Sequence, residues 1–321
     1  MISPLRVALV GYGFLGKWHA EKIQKHSQIN SKIVFTHIIE SNEAIHEQIK
    51  QIYPHVKIEK NLESCVKEFD AAILVTPSRF HFENMKYLLE NKKHIFCEKP
   101  LTTNSNDAKK ILDLVQSDRI LQVGHSERCH LIWGEIKNYL KDSTFSENPF
   151  FVYFKRSAPF KGRAVDVSVV EDVMVHDLDL MDYLFNPGEV IYSAIGIKSR
   201  TDKWDTVKAN LKDLKGNQYF FEASRDAFSE ERWVEIISGH CRLFINLFES
   251  SYSILKNGEL VVDKVSYPKR DHLYIEQEYF YNSILSKSNI FVSVQDGILA
   301  VKRVDDIMKN LLIENKMTKF P

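Results

Sequence analysis

The sequence has few cysteines and no pairing pattern among them. Its four cysteines are widely separated, and no two form a CxxC pair: Cys65, Cys97, Cys129 and Cys241. This spacing argues against a zinc ribbon and against a disulfide framework. We therefore expect a reducing, cytoplasmic location, in keeping with an N-terminus that runs from Pro4 directly into an apolar segment without signal-peptide features.

The chain also lacks an excess of either charge and any long apolar run. Lysine plus arginine number 43, as do aspartate plus glutamate, so the formal net charge is zero. This balance gives no electrostatic basis for nucleic-acid binding. No apolar stretch reaches the roughly 18 residues that a membrane-spanning helix needs, so no membrane partner is expected. With 321 residues and no internal repeat, the chain is expected to form two domains.

The N-terminal segment has the pattern of a dinucleotide-binding domain. A short apolar strand, residues 5–10, runs into a glycine loop and then into a helical stretch; the loop is Gly11-Tyr-Gly13-Phe14-Leu15-Gly16. In this setting Gly11 permits a tight turn, Gly13 admits a pyrophosphate, and Gly16 lets helix and strand approach closely. The diphosphate would lie at the helix N-terminus, which adds Phe14 and Leu15 to the predicted cofactor-binding residues.

A second predicted strand, residues 32–39, ends at an acidic residue, Glu40. A carboxylate here, roughly 20 residues past the last glycine, suits the adenosine ribose hydroxyls and repels a 2′-phosphate. The sequence therefore favours NAD over NADP as the cofactor. The alternative is that Glu40 is an ordinary surface acid.

Strands and helices continue to alternate up to residue 124, which indicates a doubly wound parallel sheet. Three polar segments follow successive strands of this domain: Thr76-Pro77, Glu98-Lys99-Pro100 and Gly124-His125. Ligands of such sheets bind beyond the carboxyl ends of the strands, so these segments are candidates for contacts with cofactor or substrate. Lys99 is notable because the following proline restricts its backbone and permits a cis peptide; the alternative is a solvated loop lysine.

We assign residues 1–124 to an NAD-binding Rossmann domain and residues 125–321 to a substrate-binding and oligomerisation domain of the α+β class. Period-2 segments between residues 190 and 248, separated by turns such as Lys215-Gly216-Asn217, predict a large, mostly antiparallel open sheet. Helices are predicted near residues 273–285 and 298–315. An open sheet needs cover on its second face, so we expect a homo-oligomer, a dimer or tetramer, formed through this sheet.

One helical segment of the second domain carries an acid and an imidazole one turn apart. At about 100° per residue, Met174 and Leu178 belong to an apolar stripe, whereas Asp172 and His176 lie together on the opposite face. A carboxylate so placed can fix the tautomer of a histidine and raise its basicity, as a general base requires. The alternatives are a solvated polar face and a metal site; no third ligand has a recognisable spacing, so no metal is expected. Asp177 falls toward the apolar side and is expected to be paired and structural.

A cationic loop precedes this helix. Residues 155–163 contain four lysine or arginine residues, including Arg156 and Arg163. Guanidinium groups bind phosphate oxygens in a bidentate geometry, so these two arginines are candidates for holding a substrate phosphate or diphosphate. The alternative is a solvated basic loop that takes no part in binding.

The order of these motifs resembles that of the Gfo/Idh/MocA oxidoreductases over the whole chain. The resemblance rests on the glycine loop and on Thr76-Pro77-x-x-x-His81, Glu98-Lys99-Pro100, Gly124-His125 and Asp172-x-x-x-His176-Asp177. It implies a Rossmann domain, a mostly antiparallel α/β substrate domain, and hydride transfer between a nicotinamide and a sugar or cyclitol. The family's catalytic positions are matched by Lys99, Asp172 and His176, and its cofactor-binding positions by Thr76, Pro77, His81, Glu98 and Lys99.

Residues 123–128 and 168–179 are similar to the nucleotide-sugar branch of that family. This similarity implies oxidation of a nucleotide sugar, such as UDP-N-acetylglucosamine at C3, ahead of an aminotransferase in the synthesis of a lipid A diamino sugar. It adds His125 and Arg128 to the candidate substrate contacts. Two alternatives stay open: a dehydrogenase for inositol or another free sugar, and a non-catalytic nucleotide-sensing regulator on the same fold.

Overall fold

The structure is a computed structural model that describes residues 3–141 and 149–317, with side chains up to residue 311. The chain divides into two compact units, Met1–Ser126 with Asp271–Val301, and Glu127–Arg270 with Lys302–Pro321. The sequence predicts a single boundary between residues 124 and 125. The structure differs in residues 271–301, which belong to the first unit.

The first unit contains a six-stranded parallel sheet. Its strands are β1 (Leu5–Val10), β2 (Ile33–Ile39), β3 (Lys57–Glu59), β4 (Ala71–Leu74), β5 (His94–Glu98) and β6 (Leu121–Gly124), in the order β3-β2-β1-β4-β5-β6. The helices between these strands are α1 (Phe14–Ile29), α2 (His46–Ile52), α3 (His81–Glu90) and α4 (Ser105–Leu114). The strand order reverses between β1 and β4, the switch point at which such sheets bind ligands.

Both faces of this sheet are covered, as the continuous apolar runs of its strands predict. Ala8 of β1 and Leu74 of β4 lie in one buried cluster, whereas Leu9 and Ile73, the alternate positions, lie in another. The second cluster also contains Phe280, because the later helix α7 (His272–Leu285) packs against α1. The predicted doubly wound parallel sheet is confirmed.

The second unit contains an eight-stranded sheet. Its strands are β7 (Phe150–Ser157), β8 (Val190–Ile197), β9 (Thr206–Asp213), β10 (Gln218–Ser224), β11 (Glu231–Ser238), β12 (Cys241–Asn246), β13 (Ser251–Lys256) and β14 (Glu259–Ser266). The order is β14-β13-β12-β11-β7-β10-β9-β8, and every pair is antiparallel except β7 with β10. The prediction of a large, mostly antiparallel sheet is confirmed.

Helices α5 (Ile132–Tyr139) and α6 (Val175–Phe185) belong to the second unit, and α8 (Val294–Met317) runs from residues of the first unit into the second. A π-helical turn, Val170–Met174, leads into α6 and contacts β10. The predicted apolar stripe is fully buried at Met174, Leu178 and Met181. Within the described residues, no helix has the length and apolar character needed to cross a bilayer.

Candidate active site

The glycine loop between β1 and α1 shows why each of its glycines is needed. A Cβ on Gly11, whose φ is +96°, would lie 2.8 Å from the carbonyl oxygen of Val75, and one on Gly16 would lie 2.2 Å from that of Gly11. Gly13, by contrast, is exposed and has no atom within 4 Å of a built Cβ. The first and third glycines therefore serve packing, while the second leaves open space at the start of α1, a fit for a dinucleotide diphosphate.

Glu40 lies beside this loop at the end of β2. Its Oε2 accepts a hydrogen bond from the Tyr12 amide at 2.9 Å, and its Oε1 accepts one from the Asn42 amide at 2.8 Å. Because each carboxylate oxygen can accept more than one hydrogen bond, the fixed side chain retains capacity for ribose hydroxyls. Phe14, the first residue of α1, is 65% exposed at the same loop.

His81 ties together the segments that follow β4 and β5. Its Nε2 lies 2.8 Å from the carbonyl oxygen of Thr76, and its Nδ1 lies 2.8 Å from that of Pro100. The side chain is buried, and this burial lowers the pKa of His81. His81 therefore contacts the two strand-end segments themselves, and at the sheet edge Thr76 is half-buried and Pro77 is exposed.

Lys99 is held by the residue that precedes it. The Lys99 amide donates to Glu98 Oε2 at 3.1 Å, and the Lys99–Pro100 peptide is cis. Burial acts to raise the pKa of Glu98, but hydrogen bonding from His19 and the charge and amide of Lys99 bring it below its ordinary value. Lys99 itself is half-buried, and His125, after β6, is buried.

Asp172 and His176 lie on either side of the junction between the π turn and α6. Ser168 and Glu171 form a capping box: Ser168 Oγ accepts from the Val170 amide at 3.2 Å, and the Ser168 amide donates to Glu171 Oε2 at 2.8 Å. The Asp172 amide donates to the Ser168 carbonyl at 3.1 Å. Asp172 and His176 are both half-buried, in contrast to the buried apolar stripe. Because π turns are frequent at functional sites, this junction is a candidate functional site.

A buried charge network lies next to His176. The Arg156 guanidinium donates to Asp177 Oδ1 at 2.7 Å and to Glu127 Oε1 at 3.0 Å, and Arg232 donates to the same Glu127 oxygen at 3.0 Å. Burial raises the pKa of Asp177 despite its arginine partner. Burial also acts to raise the pKa of Glu127, but Arg156, His130, Arg232 and His176 bring it well below its ordinary value. Asp177 is paired and structural, as the sequence predicted.

Two arginines predicted as substrate contacts are engaged in buried ion pairs. Arg128 donates to both oxygens of Asp179, at 2.8 and 2.6 Å, and its guanidinium lies 4.8 Å from the ring centroid of Tyr183. Arg156 is bound by Asp177 and Glu127 as described above. These ion pairs are the contacts that the structure gives Arg128 and Arg156, and their part in substrate binding stays a prediction. Arg163 is exposed.

Four polar residues of these sites have no role predicted from the sequence: the buried His19, Glu127 and Gln277, and the half-buried Arg232. One signal was present for His19, since it lies on the same helix face as the buried Ile23, four residues later, where a polar group needs a partner. The other residues gave no such signal. Among the described residues, no cluster of three or more His, Cys, Asp or Glu side chains could hold a metal ion.

Residues 5–125 match the sequence profile of the family described as "Oxidoreductase family, NAD-binding Rossmann fold" (GFO_IDH_MocA). Over 304 residues, 92% of this chain and 92% of the relative, the sequence is 28% identical to UDP-N-acetylglucosamine 3-dehydrogenase of Acidithiobacillus ferrooxidans. Over 192 residues, 58% of this chain and 54% of the relative, it is 29% identical to inositol 2-dehydrogenase of Mycolicibacterium smegmatis.

Similar solved structures include UDP-N-acetylglucosamine 3-dehydrogenase of Acidithiobacillus ferrooxidans, with a TM-score of 0.85, 25% identity, and coverage of 97% of this chain and 98% of the other. Levoglucosan dehydrogenase in complex with NADH has a TM-score of 0.83 at 18% identity, with coverage of 97% of this chain and 98% of the other. This second similarity concerns the fold alone. Together with the parallel sheet and its glycine loop, these matches identify residues 5–125 as an NAD-binding Rossmann domain of the Gfo/Idh/MocA oxidoreductase family, in a chain similar over nearly its whole length to a sugar-nucleotide dehydrogenase.

Proposed function

We propose that this oxidoreductase uses NAD to oxidise a secondary hydroxyl of a nucleotide sugar, such as UDP-N-acetylglucosamine at C3, to a ketone. The observation that carries this proposal is the similarity to a UDP-N-acetylglucosamine 3-dehydrogenase over 92% of both chains. An inositol 2-dehydrogenase matches 58% of this chain at nearly the same identity. Oxidation of a free cyclitol is therefore the second candidate, favoured by that partial match.

The first unit supplies the residues that would hold the cofactor. The open space at Gly13 would accommodate the diphosphate, and Glu40, fixed by the amides of Tyr12 and Asn42, would bind the adenosine ribose. A 2′-phosphate beside this carboxylate would place two negative charges together, which favours NAD over NADP. When bound, the nicotinamide supplies the acceptor for the hydride.

Three side chains act on the reacting hydroxyl in this proposal. His176 accepts the hydroxyl proton as general base, and Asp172, one turn earlier, orients the ring and stabilises its charged form. Lys99 hydrogen-bonds the reacting oxygen and stabilises the negative charge that develops on it. The fixed backbone of Lys99 and the half-buried positions of Asp172 and His176 support these roles. A non-catalytic sensor would have no use for all three groups.

The second unit is assigned substrate binding. Arg163 is the proposed contact for a substrate phosphate because it is exposed, whereas the buried Arg128 and Arg156 support α6 from within. We assign self-association to the large sheet of the same unit. A cytoplasmic location follows from the scattered cysteines, and an aminotransferase in lipid A diamino-sugar synthesis would consume the ketone.

The proposal is tested by a screen of UDP-sugars, inositol and other free sugars with NAD and with NADP, followed by nicotinamide absorbance. Lys99→Ala and His176→Ala are each expected to lower kcat roughly 10²- to 10⁴-fold on the substrate found, because each removes a group that acts in the transition state. Lys161→Ala is the control, since Lys161 is exposed and paired with Glu230. Turnover of free sugars alone would exclude the nucleotide-sugar substrate, and full turnover by both variants would exclude the mechanism.

A further inference from the structure

We propose that His19 and Gln277 are positioning residues for Lys99: by a fixed chain of hydrogen bonds they hold the buried Glu98 carboxylate that orients the Lys99 backbone. The inference rests on the proposed function, since it takes Lys99 as the residue that contacts the reacting oxygen. All four residues belong to the first unit and come from three of its elements: α1, the end of β5, and α7.

The chain of contacts is continuous and buried. Gln277 Nε2, on α7, lies 3.0 Å from His19 Nδ1 and 3.3 Å from the His19 carbonyl oxygen. His19 Nε2 lies 2.8 Å from Glu98 Oε1, and Glu98 Oε2 accepts from the Lys99 amide at 3.1 Å. The side chains of His19 and Gln277 are fully inaccessible to solvent, and Glu98 is 6% exposed. Water therefore does not compete for these bonds.

The geometry fixes the tautomer of His19. The His19 carbonyl can only accept, so the Gln277 atom beside it is the amide nitrogen, and Gln277 Oε1 is left to accept from the Tyr281 hydroxyl at 3.3 Å. The same amide nitrogen lies 3.0 Å from His19 Nδ1, so its second N–H is the donor there and Nδ1 is the acceptor. His19 is then neutral, and its Nε2–H donates to Glu98. An imidazolium would set an Nδ1–H against the amide N–H.

The Glu98 carboxylate lies directly over Gly124. A Cβ built on Gly124, which pairs with Glu98 across β5 and β6, would lie 3.1 Å from the carboxylate carbon and from both of its oxygens. Residue 124 is therefore a glycine because the carboxylate fills the space above it. With one oxygen bonded to His19 and the other to the Lys99 amide, the carboxylate fixes where the Lys99 side chain begins.

The kinetic test uses a matched pair, His19→Gln and His19→Asn. The glutamine amide nitrogen can occupy the place of Nε2 and donate to Glu98, whereas the shorter asparagine reaches only the place of Nδ1. We expect kcat of His19→Gln to exceed that of His19→Asn by tenfold or more, with the Kd for NAD within threefold of wild type in both. A role limited to stability would lower the two variants' unfolding midpoints without separating their kcat values, and equal kcat values would overturn the proposal.

A spectroscopic test needs neither substrate nor turnover. Long-range ¹H–¹⁵N spectra of the wild-type histidine rings should show His19 as the neutral Nε2–H tautomer, its signals identified by their loss in His19→Gln. Gln277→Glu places an acceptor opposite Nδ1 and should convert the ring to the imidazolium or the Nδ1–H form. Either of these forms in the wild type would overturn the inference. Failure of the proposed function would instead appear as full turnover by Lys99→Ala, with the ring spectrum unchanged.

Discussion

Arg156 and Arg232 face each other across β7 and β11, where two like charges would be expected to repel. Glu127 removes the conflict, because its Oε1 accepts from both guanidinium groups at 3.0 Å, while Asp177 of α6 binds Arg156 from the other side. Two arginines and two carboxylates thus form a group without net charge, which is buried except for the half-buried Arg232. Its role in this fold is to hold α6, and with it His176, against the sheet.

Glu127→Gln is expected to lower the free energy of unfolding by about 3–5 kcal/mol at pH 7, because it removes the carboxylate that binds both guanidinium groups and leaves Asp177 as the counter-ion of the buried Arg156. The folded-state pKa of Glu127 lies below its unfolded value, so its stabilisation is present above about pH 4.3 and is lost as the pH falls through the folded pKa. The difference between wild type and variant should therefore shrink on acidification. Urea unfolding of both proteins from pH 7 to pH 3 measures this difference. Glu230→Gln, which removes an acid from an exposed ion pair, is the control. A difference in unfolding free energy that does not change with pH would contradict the role given to the Glu127 carboxylate.

The limits of sequence reasoning are visible in the same residues. The face of Asp177 on its helix could be derived from periodicity, and so could its need for a partner. The partner could not, since Arg156 is 21 positions away and is brought close only by the packing of α6 on β7. The same reason applies to Arg128 and Arg156: a sequence shows a cation, but only tertiary structure shows that it is buried beside an acid.

At the scale of elements, the turn between β1 and α1 separates two uses of glycine. Gly13 has an ordinary backbone, with φ −69° and ψ −161°, and no neighbour that a methyl group would meet. Gly16 has none of this freedom, because its Cβ would collide with the backbone of Gly11. The sequence motif predicted both roles, since strand, loop and helix are contiguous in the chain and no distant contact is needed to define them.

Gly13→Ala should leave the free energy of unfolding within about 0.5 kcal/mol of wild type but weaken NAD binding tenfold or more, because its methyl group enters the space proposed for the diphosphate. Gly16→Ala should instead destabilise the apoprotein by about 1–3 kcal/mol through overpacking. Urea unfolding without cofactor measures the free energy of unfolding, and titration with NAD, followed by tryptophan fluorescence, measures the affinity for NAD. Wild-type NAD affinity in Gly13→Ala would show that the diphosphate does not approach this residue.

The π turn before α6 is an element that periodicity could not reveal. The Val175 amide bonds the carbonyl of Val170, five residues earlier, as well as that of Val173. An apolar pattern taken at 100° per residue averages over such a local widening, so the sequence predicted one regular helix. The parallel pairing of β7 with β10 could not be predicted either. The sequence pattern of a strand indicates its length and which face is buried, but it does not identify the neighbouring strands.

At the scale of the whole chain, the main departure is the return of residues 271–301 to the first unit. The helix over residues 273–285 was predicted closely, as α7 spans His272–Leu285. The packing partner of this helix was not predicted, because an apolar stripe indicates that a helix is buried but does not identify the element it packs against. In the structure α7 supplies Phe280 and Tyr281 to the core around α1, and Gln277 to His19. Unit boundaries follow such contacts and not the order of the chain.

The outer face of the eight-stranded sheet leads to the prediction of self-association. Ile191, Ile195 and Ile197 of β8 are exposed by 71%, 62% and 63%, and stacked Tyr153 and Phe220 line a depression of about 430 Å³ beside them. Apolar faces of this extent mark interaction sites, and a second copy of the same chain would cover one with another.

Ile195→Lys is therefore expected to shift the protein toward monomer, because pairing two such faces would bury the added charges without partners. Sedimentation velocity over a range of protein concentrations measures the shift. Leu214→Lys is the matched control: Leu214 is 81% exposed but lies in the turn between β9 and β10, away from the face. A wild type that sediments as a monomer at every concentration, or an Ile195→Lys variant that associates as the wild type does, would rule out this face as the interface.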